Sequence, residues 1–314
     1  MMRWLWCCAC IATAFCLGCA HRESTTREPL ERKRILVLTP TDFEFAGVVA
    51  ALDTHRPWVE GERQGAVGSS GSLDVFVIRT GWGKSHAAGA TALGIARFHA
   101  QLVIMAGVGG GLDAARVESG DVVIVEKAFQ HDLGKYGANG KFQRWSPESP
   151  TETAWELDNP SDAGLVRLAA STATKVPHSQ WCLDDSNATT LAVARNQCLP
   201  LERRIGRSQP RVCAGKVATG DGFVEDVAMA RDLASSGAIA VDMETAAASL
   251  EARNEHVPFV AVRVVADVVG GAGGYELYKR LKPAAKERLT EAMQALLQGL
   301  SSRRDTANET PEKC

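Results

Sequence analysis

The sequence predicts an α/β domain: a single three-layer sandwich built around a mixed, mostly parallel central sheet. Three observations predict it. Between residues 34 and 300, short apolar runs alternate with longer stretches of helical period. Several of those runs are unbroken and rich in Val and Ile, as expected of strands covered on both faces. Gly, Asp and Glu gather where the runs end, and in such sheets ligands bind at the carboxyl ends of the strands.

The elements follow in chain order. Residues 1–18 carry one early Arg, then an apolar run, then small residues. That is the pattern of a signal peptide, and it is short for a membrane span. It runs into "CLGC" (16–19), which resembles a bacterial lipobox with Cys19 as the lipidated residue. Residues 19–33 are polar and aperiodic and read as a linker. Strands are expected at 34–39, 73–80, 102–107, 121–126, 238–243 and 259–265, and helices at 43–53, 85–100, 244–255 and 276–300. Pro283 allows a break or kink in the last helix. Residues 177–212 are irregular and read as an insertion loop, and 301–314 read as a disordered tail.

Composition narrows the function. A net charge of −2 offers no electrostatic footprint for nucleic acid. The nine Cys include four in the signal segment and Cys19. The remaining Cys182, Cys198, Cys213 and Cys314 show no CxxC or Cys/His spacing, so no metal site and no cofactor is expected. In an exported domain a disulfide among Cys182, Cys198 and Cys213 is open, and free thiols are equally open.

The candidate site residues each have an ordinary reading. "RTGWGKSHAAGAT" (79–91) and "AGVGGGLD" (106–113) are Gly-rich turns after strands, without Walker spacing. Glu44, in "TPTDFEFAG", can serve the dipole of a helix start. In "AVDMETAA" (240–247), Asp242 can cap a helix, Glu244 can sit in its first turn, and Met243 can fill core. Asp267 can cap the turn after an apolar strand, and His131–Asp132 can be a surface loop.

Taken together, "TPTDFEF", "GWGKSHAAGAT", "AGVGGGLD", "GDVVI", "HDL", "TGDGFV", "VDMETAA" and "VPFVAVRVVADV" resemble the 5′-methylthioadenosine/S-adenosylhomocysteine nucleosidases of the nucleoside phosphorylase superfamily. The resemblance runs from Ile35 to Leu300 and is carried most specifically by the last two motifs. It implies a nucleoside phosphorylase-like fold and hydrolysis of a purine N-glycosidic bond through an oxocarbenium-like transition state. It assigns Asp267 as the acid that protonates the purine and Glu44 as the group that positions and deprotonates water. It makes Glu244 the ribose ligand, Met243 the apolar surface under the ribose, and Phe223 the aromatic stacked on the base, with Val224 beside it. Arg263 matches an Arg near the ribose and water, and Gly110 a pocket turn.

Two departures stand out. Val108 stands where relatives often carry Ser, and the loop after His131 differs. A phosphate co-substrate would need cations or a row of donors, whereas this chain offers Met105, Val108, Asp42 and Glu44, so hydrolysis is favoured. The alternatives are a futalosine-type nucleosidase, a phosphorylase, or a nucleoside-binding lipoprotein without turnover. The expected partners are a small nucleoside, a membrane through the lipid anchor at most, and a second copy in a homodimer. The expected location is the bacterial cell envelope, lipid-anchored or secreted, on the periplasmic side.

Overall fold

The computed structural model describes residues 32–145, 159–174, 210–271, 274–302 and 310–314. The signal segment, Cys19, Cys182 and Cys198 lie outside them, as do nearly all of the linker and of the insertion loop.

The chain runs β1 (Lys33–Thr39), α1 (Asp42–Ala50), β2 (Thr54–Glu60), β3 (Arg63–Ser70), β4 (Leu73–Arg79), α2 (Lys84–Phe98), β5 (Leu102–Gly111) and β6 (Val122–Gln130). A small hairpin, β7 (Gly134–Tyr136) and β8 (Phe142–Arg144), is followed by β9 (Asn159–Pro160) and α3 (Ala163–Ala173). Then come β10 (Val212–Thr219), α4 (Val227–Ser235), β11 (Ala238–Asp242), α5 (Thr245–Asn254), β12 (Phe259–Val268) and α6 (Gly274–Ser301). Each strand and helix expected from the sequence is present, some with shifted ends. The sequence reading missed β2 and β3, the short strands β7 to β9, α3, β10 and α4.

The main sheet has the order β11-β10-β6-β12-β5-β1-β4-β3-β2, and β11 pairs again with the end of β5. Five strands thus close into a ring, which brings Val241 opposite Gly110. The sheet is mixed: β1, β4, β5 and β12 run parallel, while β2, β3 and β4 form an antiparallel meander. Ile35, Val37, Ile104 and Val262 point to the layer of α1, α3 and α6, and Leu36, Val103, Met105 and Ala261 to the layer of α2 and α5. Both faces of the central strands are therefore dry, which is why their sequences show apolar runs rather than alternation.

α6 continues through Pro283. Packing of Leu281, Ala285 and Leu289 in the core holds that turn helical despite the lost backbone bond. Two boundaries differ from expectation. Arg32 pairs with Asp74 at 2.5 Å and β1 starts at Lys33, so the domain begins inside the expected linker. The last residues of the expected disordered tail are built into the domain. Glu312 O accepts from Ala214 N at 2.7 Å, Cys314 N donates to Ala214 O, and Cys314 forms a disulfide with Cys213. β11 begins opposite Lys216, which leaves the first residues of β10 with an open edge, and this segment covers it. The pairing joins one expected candidate, Cys213, to a Cys that the sequence reading left outside the disulfide set.

Candidate active site

A cavity of about 420 Å³ opens at the carboxyl ends of β1, β5, β11 and β12. Glu44, Val108, Gly110, Phe223, Val224, Met243, Glu244 and Asp267 all line it. These residues come from opposite ends of the sequence, and the ring closure by β11 and β5 is what gathers them.

Glu44 has two employments. Thr41 is the N-cap of α1, and Glu44 at the third helical position reaches back so that its Oε2 accepts from Thr41 N at 2.9 Å and from the Thr41 hydroxyl. This is half of a capping box. Its other oxygen, Oε1, accepts from Val108 N at 2.7 Å. The side chain is only 1 % exposed, and burial raises its pKa despite those donors. Close approach requires Gly107: a Cβ there would lie 2.6 Å from both Glu44 Oε1 and Arg263 Nη1.

Arg263 is fully buried and does not line the cavity. Its Nη2 is 2.6 Å from Asp242 and 3.4 Å from Glu244, and its Nε and Nη2 donate to Thr245 Oγ1 at 3.0 and 2.9 Å. Arg263 thus stands behind the wall, next to the two carboxyls, Glu44 and Glu244, that face the cavity. The N-cap position of α5 is Glu244 rather than Asp242; Asp242, two residues before it, accepts from Thr245 N at 3.2 Å and is the nearest counter-ion of Arg263. Because Asp242 takes the shortest ion pair, Glu244 is left to its burial, which raises its pKa. Glu244 Oε1 accepts from Gly83 N at 3.0 Å, an amide presented by a backbone at φ 92° that favours glycine.

Asp267 ends β12, where the register with β5 slips by a residue between Val265 and Asp267. A bulge of this kind re-aims a side chain. Burial, and then the charge of Glu225, lift the Asp267 pKa to about 6. Phe223 stands half-exposed at the mouth, 5.5 Å from the Tyr275 ring. Trp82, Tyr275 and Tyr278 also line the cavity, and the sequence reading did not single them out. The signal for Trp82 was present, between the glycines of "GWG", whereas the tyrosines need the fold to bring the start of α6 over the strand ends. His131 is buried but off the cavity wall, and Asp132 binds Lys84 at 2.6 Å.

The fold and the site define an α/β enzyme with an acid of raised pKa and a second buried carboxylate in one water-accessible cavity. A family model described as the phosphorylase superfamily matches residues 34–300, and the chain belongs to that superfamily. Within it the chain is 31% identical over 238 residues to the 5′-methylthioadenosine/S-adenosylhomocysteine nucleosidase of Treponema pallidum, covering 75% of this chain and 82% of that protein. Among solved structures it is similar to the enzyme of that name from Neisseria meningitidis in complex with methylthio-immucillin-A. That likeness has a TM-score of 0.63 at 22% identity, over 85% of this chain and 99% of the other. It is similar also to futalosine hydrolase of Helicobacter pylori strain 26695, with a TM-score of 0.64 at 18% identity, over 85% and 97%.

Proposed function

We propose that the protein hydrolyses the N-glycosidic bond of a purine nucleoside such as 5′-methylthioadenosine or S-adenosylhomocysteine, releasing the free base and the ribose derivative. The observation that carries this reading is the pairing of Asp267, at a pKa of about 6, with the buried carboxyl of Glu44 across one cavity. Asp267 in its acid form donates a proton to the purine as the C–N bond breaks. Glu44 accepts a proton from the water that adds to the anomeric carbon. Glu244 binds the ribose hydroxyls, and a carboxyl of raised pKa can both donate to and accept from them. Met243 lies under the sugar and Phe223 against the base.

Phosphate is a poor nucleophile for this site. The carboxyl of Glu44 lies where the incoming group must sit, and the guanidinium of Arg263 is spent on Asp242 and Thr245. Incubation of the purified protein with methylthioadenosine, adenosylhomocysteine, inosine and futalosine, with and without phosphate, tests the reading. Free base and free sugar without phosphate are expected. Sugar 1-phosphate appearing only with phosphate would overturn hydrolysis, and binding without turnover would favour a nucleoside-binding protein.

The working form is a homodimer on this reading. Tyr136 and Phe142 stand exposed on the β7–β8 hairpin, apolar surface that a second copy would cover. The location is the cell envelope, lipid-anchored through Cys19. The Cys213–Cys314 disulfide supports export, because such bonds persist in oxidising compartments.

A further inference from the structure

Two consecutive amides open α2, and each holds a carboxylate. Gly83 N donates to Glu244 Oε1 at 3.0 Å, and Lys84 N donates to Asp221 Oδ1 at 2.7 Å. Gly83 is the N-cap of the helix and has no side chain to cap it, so the two acids take that place. Asp221 in turn presents its own amide, which donates to Asp132 Oδ2 at 2.8 Å. Asp132 Oδ1 accepts from Lys84 Nζ at 2.6 Å, and Gln130 Oε1 accepts from the same ammonium at 3.1 Å. The bonds close into a ring, from Lys84 to Asp221 to Asp132 and back to Lys84. It joins the start of α2, the segment after β6 and the loop after β10.

The ring lies beside the cavity rather than in it, for none of Lys84, Asp132 and Asp221 lines it. Its neighbours in the chain do. Trp82 stands two residues before Lys84, and Gly222 and Phe223 follow Asp221 directly. Residues 220–226 belong to no helix or strand, so the sheet does not fix Phe223. The loop leaves β10 across His131, where a Cβ on Gly220 would lie 2.2 Å from His131 Nε2. The ring therefore ties the base-side aromatic and the ribose-side carboxyl to one helix end. The motifs "GWGK", "HDL" and "TGDGF", each ordinary when read alone, meet in it.

We propose that Lys84, Asp132 and Asp221 are positioning residues that set the gap between Phe223 and Glu244, and with it the affinity of the site for a nucleoside. The inference rests on the nucleosidase reading for the roles of those two groups. The reacting groups are held otherwise, Glu44 by Thr41 and Val108 N and Asp267 by β12. Opening the ring therefore weakens the binding of ground state and transition state alike, which raises KM and leaves kcat in place.

The test measures kcat, KM and melting temperature of the full chain, with methylthioadenosine as substrate. The Asp221 side chain is 54 % exposed, so Asp221→Ala removes its link at little cost to folding. It should raise KM roughly tenfold, the scale of one hydrogen bond to a charged group, with kcat within about twofold. Asp221→Asn keeps an acceptor for Lys84 N and should recover part of the loss. Asp132→Ala should raise KM by a similar factor, and the double variant by no more than either alone, because the two residues belong to one ring. An unchanged KM in both single variants, a fall in kcat at unchanged KM, or effects that multiply in the double variant would overturn the proposal, whatever the melting temperatures do. If the wild-type protein cleaves no nucleoside, the nucleosidase reading falls, and dissociation constants for methylthioadenosine by calorimetry carry the same comparison. No binding by the wild-type protein overturns both.

Discussion

At the scale of single residues, the site is governed by where protons sit. Asp267 must carry its proton to act as an acid, and its pKa is lifted from 3.8 to about 6. kcat/KM should therefore fall about tenfold per pH unit above about pH 6. A profile flat from pH 6 to 8 would remove Asp267 from that role. Stability carries the same sign. The folded state holds the Asp267 proton more tightly than the unfolded chain, so stability falls as the pH rises from 3.8 to about 6. Asp267→Asn should flatten that part of a denaturation series while lowering kcat by roughly 10²–10⁴-fold and sparing nucleoside binding. Arg263 is fully buried and holds two acids at once. Arg263→Ala leaves Asp242 and Glu244 buried without their cation and should cost about 3–5 kcal/mol, read from the midpoint of urea unfolding. A variant of unchanged stability would mean that the two acids shed their charge at little cost.

At the scale of elements, β5 shows how the sheet places the buried groups of the cavity. Gly107→Ala on β5 inserts a Cβ 2.6 Å from both Glu44 Oε1 and Arg263 Nη1, so the Glu44–Arg263 arrangement must shift, and a displacement of Glu44 by about 1 Å should lower kcat by roughly 10²-fold. Full activity in this variant would show that the position of Glu44 is not limiting. The elements also divide into those the sequence announced and those it hid. β1, β5 and β12 were legible because they are dry on both faces and read as apolar runs. β2, "THRPWVE", was hidden because it is an edge strand, almost wholly exposed, with a Pro in it. α3 and α4 were missed although Asp162 and Asp226 cap them, each accepting a backbone N–H three residues on. β10 was obscured by Gly215 and Lys216 in the middle of its apolar run. For the site, the residues at strand ends were legible one by one. Which of them face the cavity and which stand behind it was not, because that depends on the β12 bulge and on the ion pair that Asp242 takes from Glu244.

At the scale of the whole molecule, the chain is tied to itself across a long separation. The Cys213–Cys314 bond closes 101 residues, including α4, α5, β12 and α6. Cys314→Ser should lower stability by about 2–5 kcal/mol, and reductant should do the same to the native protein but not to the variant. Equal melting temperatures with and without reductant would show that the bond is not formed. Assembly is testable at the same scale. Sedimentation should report a dimer, and Tyr136→Glu with Phe142→Glu should shift it toward monomer if the hairpin is the contact.

Trp82 lines the cavity, and 57 % of its surface is open. An indole in that place is a built-in optical reporter. A purine nucleoside that enters should change its emission, through stacking or through altered contact with water. Ligands that cover the indole to different extents should shift that emission by different amounts. Each ligand would then have its own spectral signature in the native protein, one that Trp82→Phe should erase without a label ever being attached.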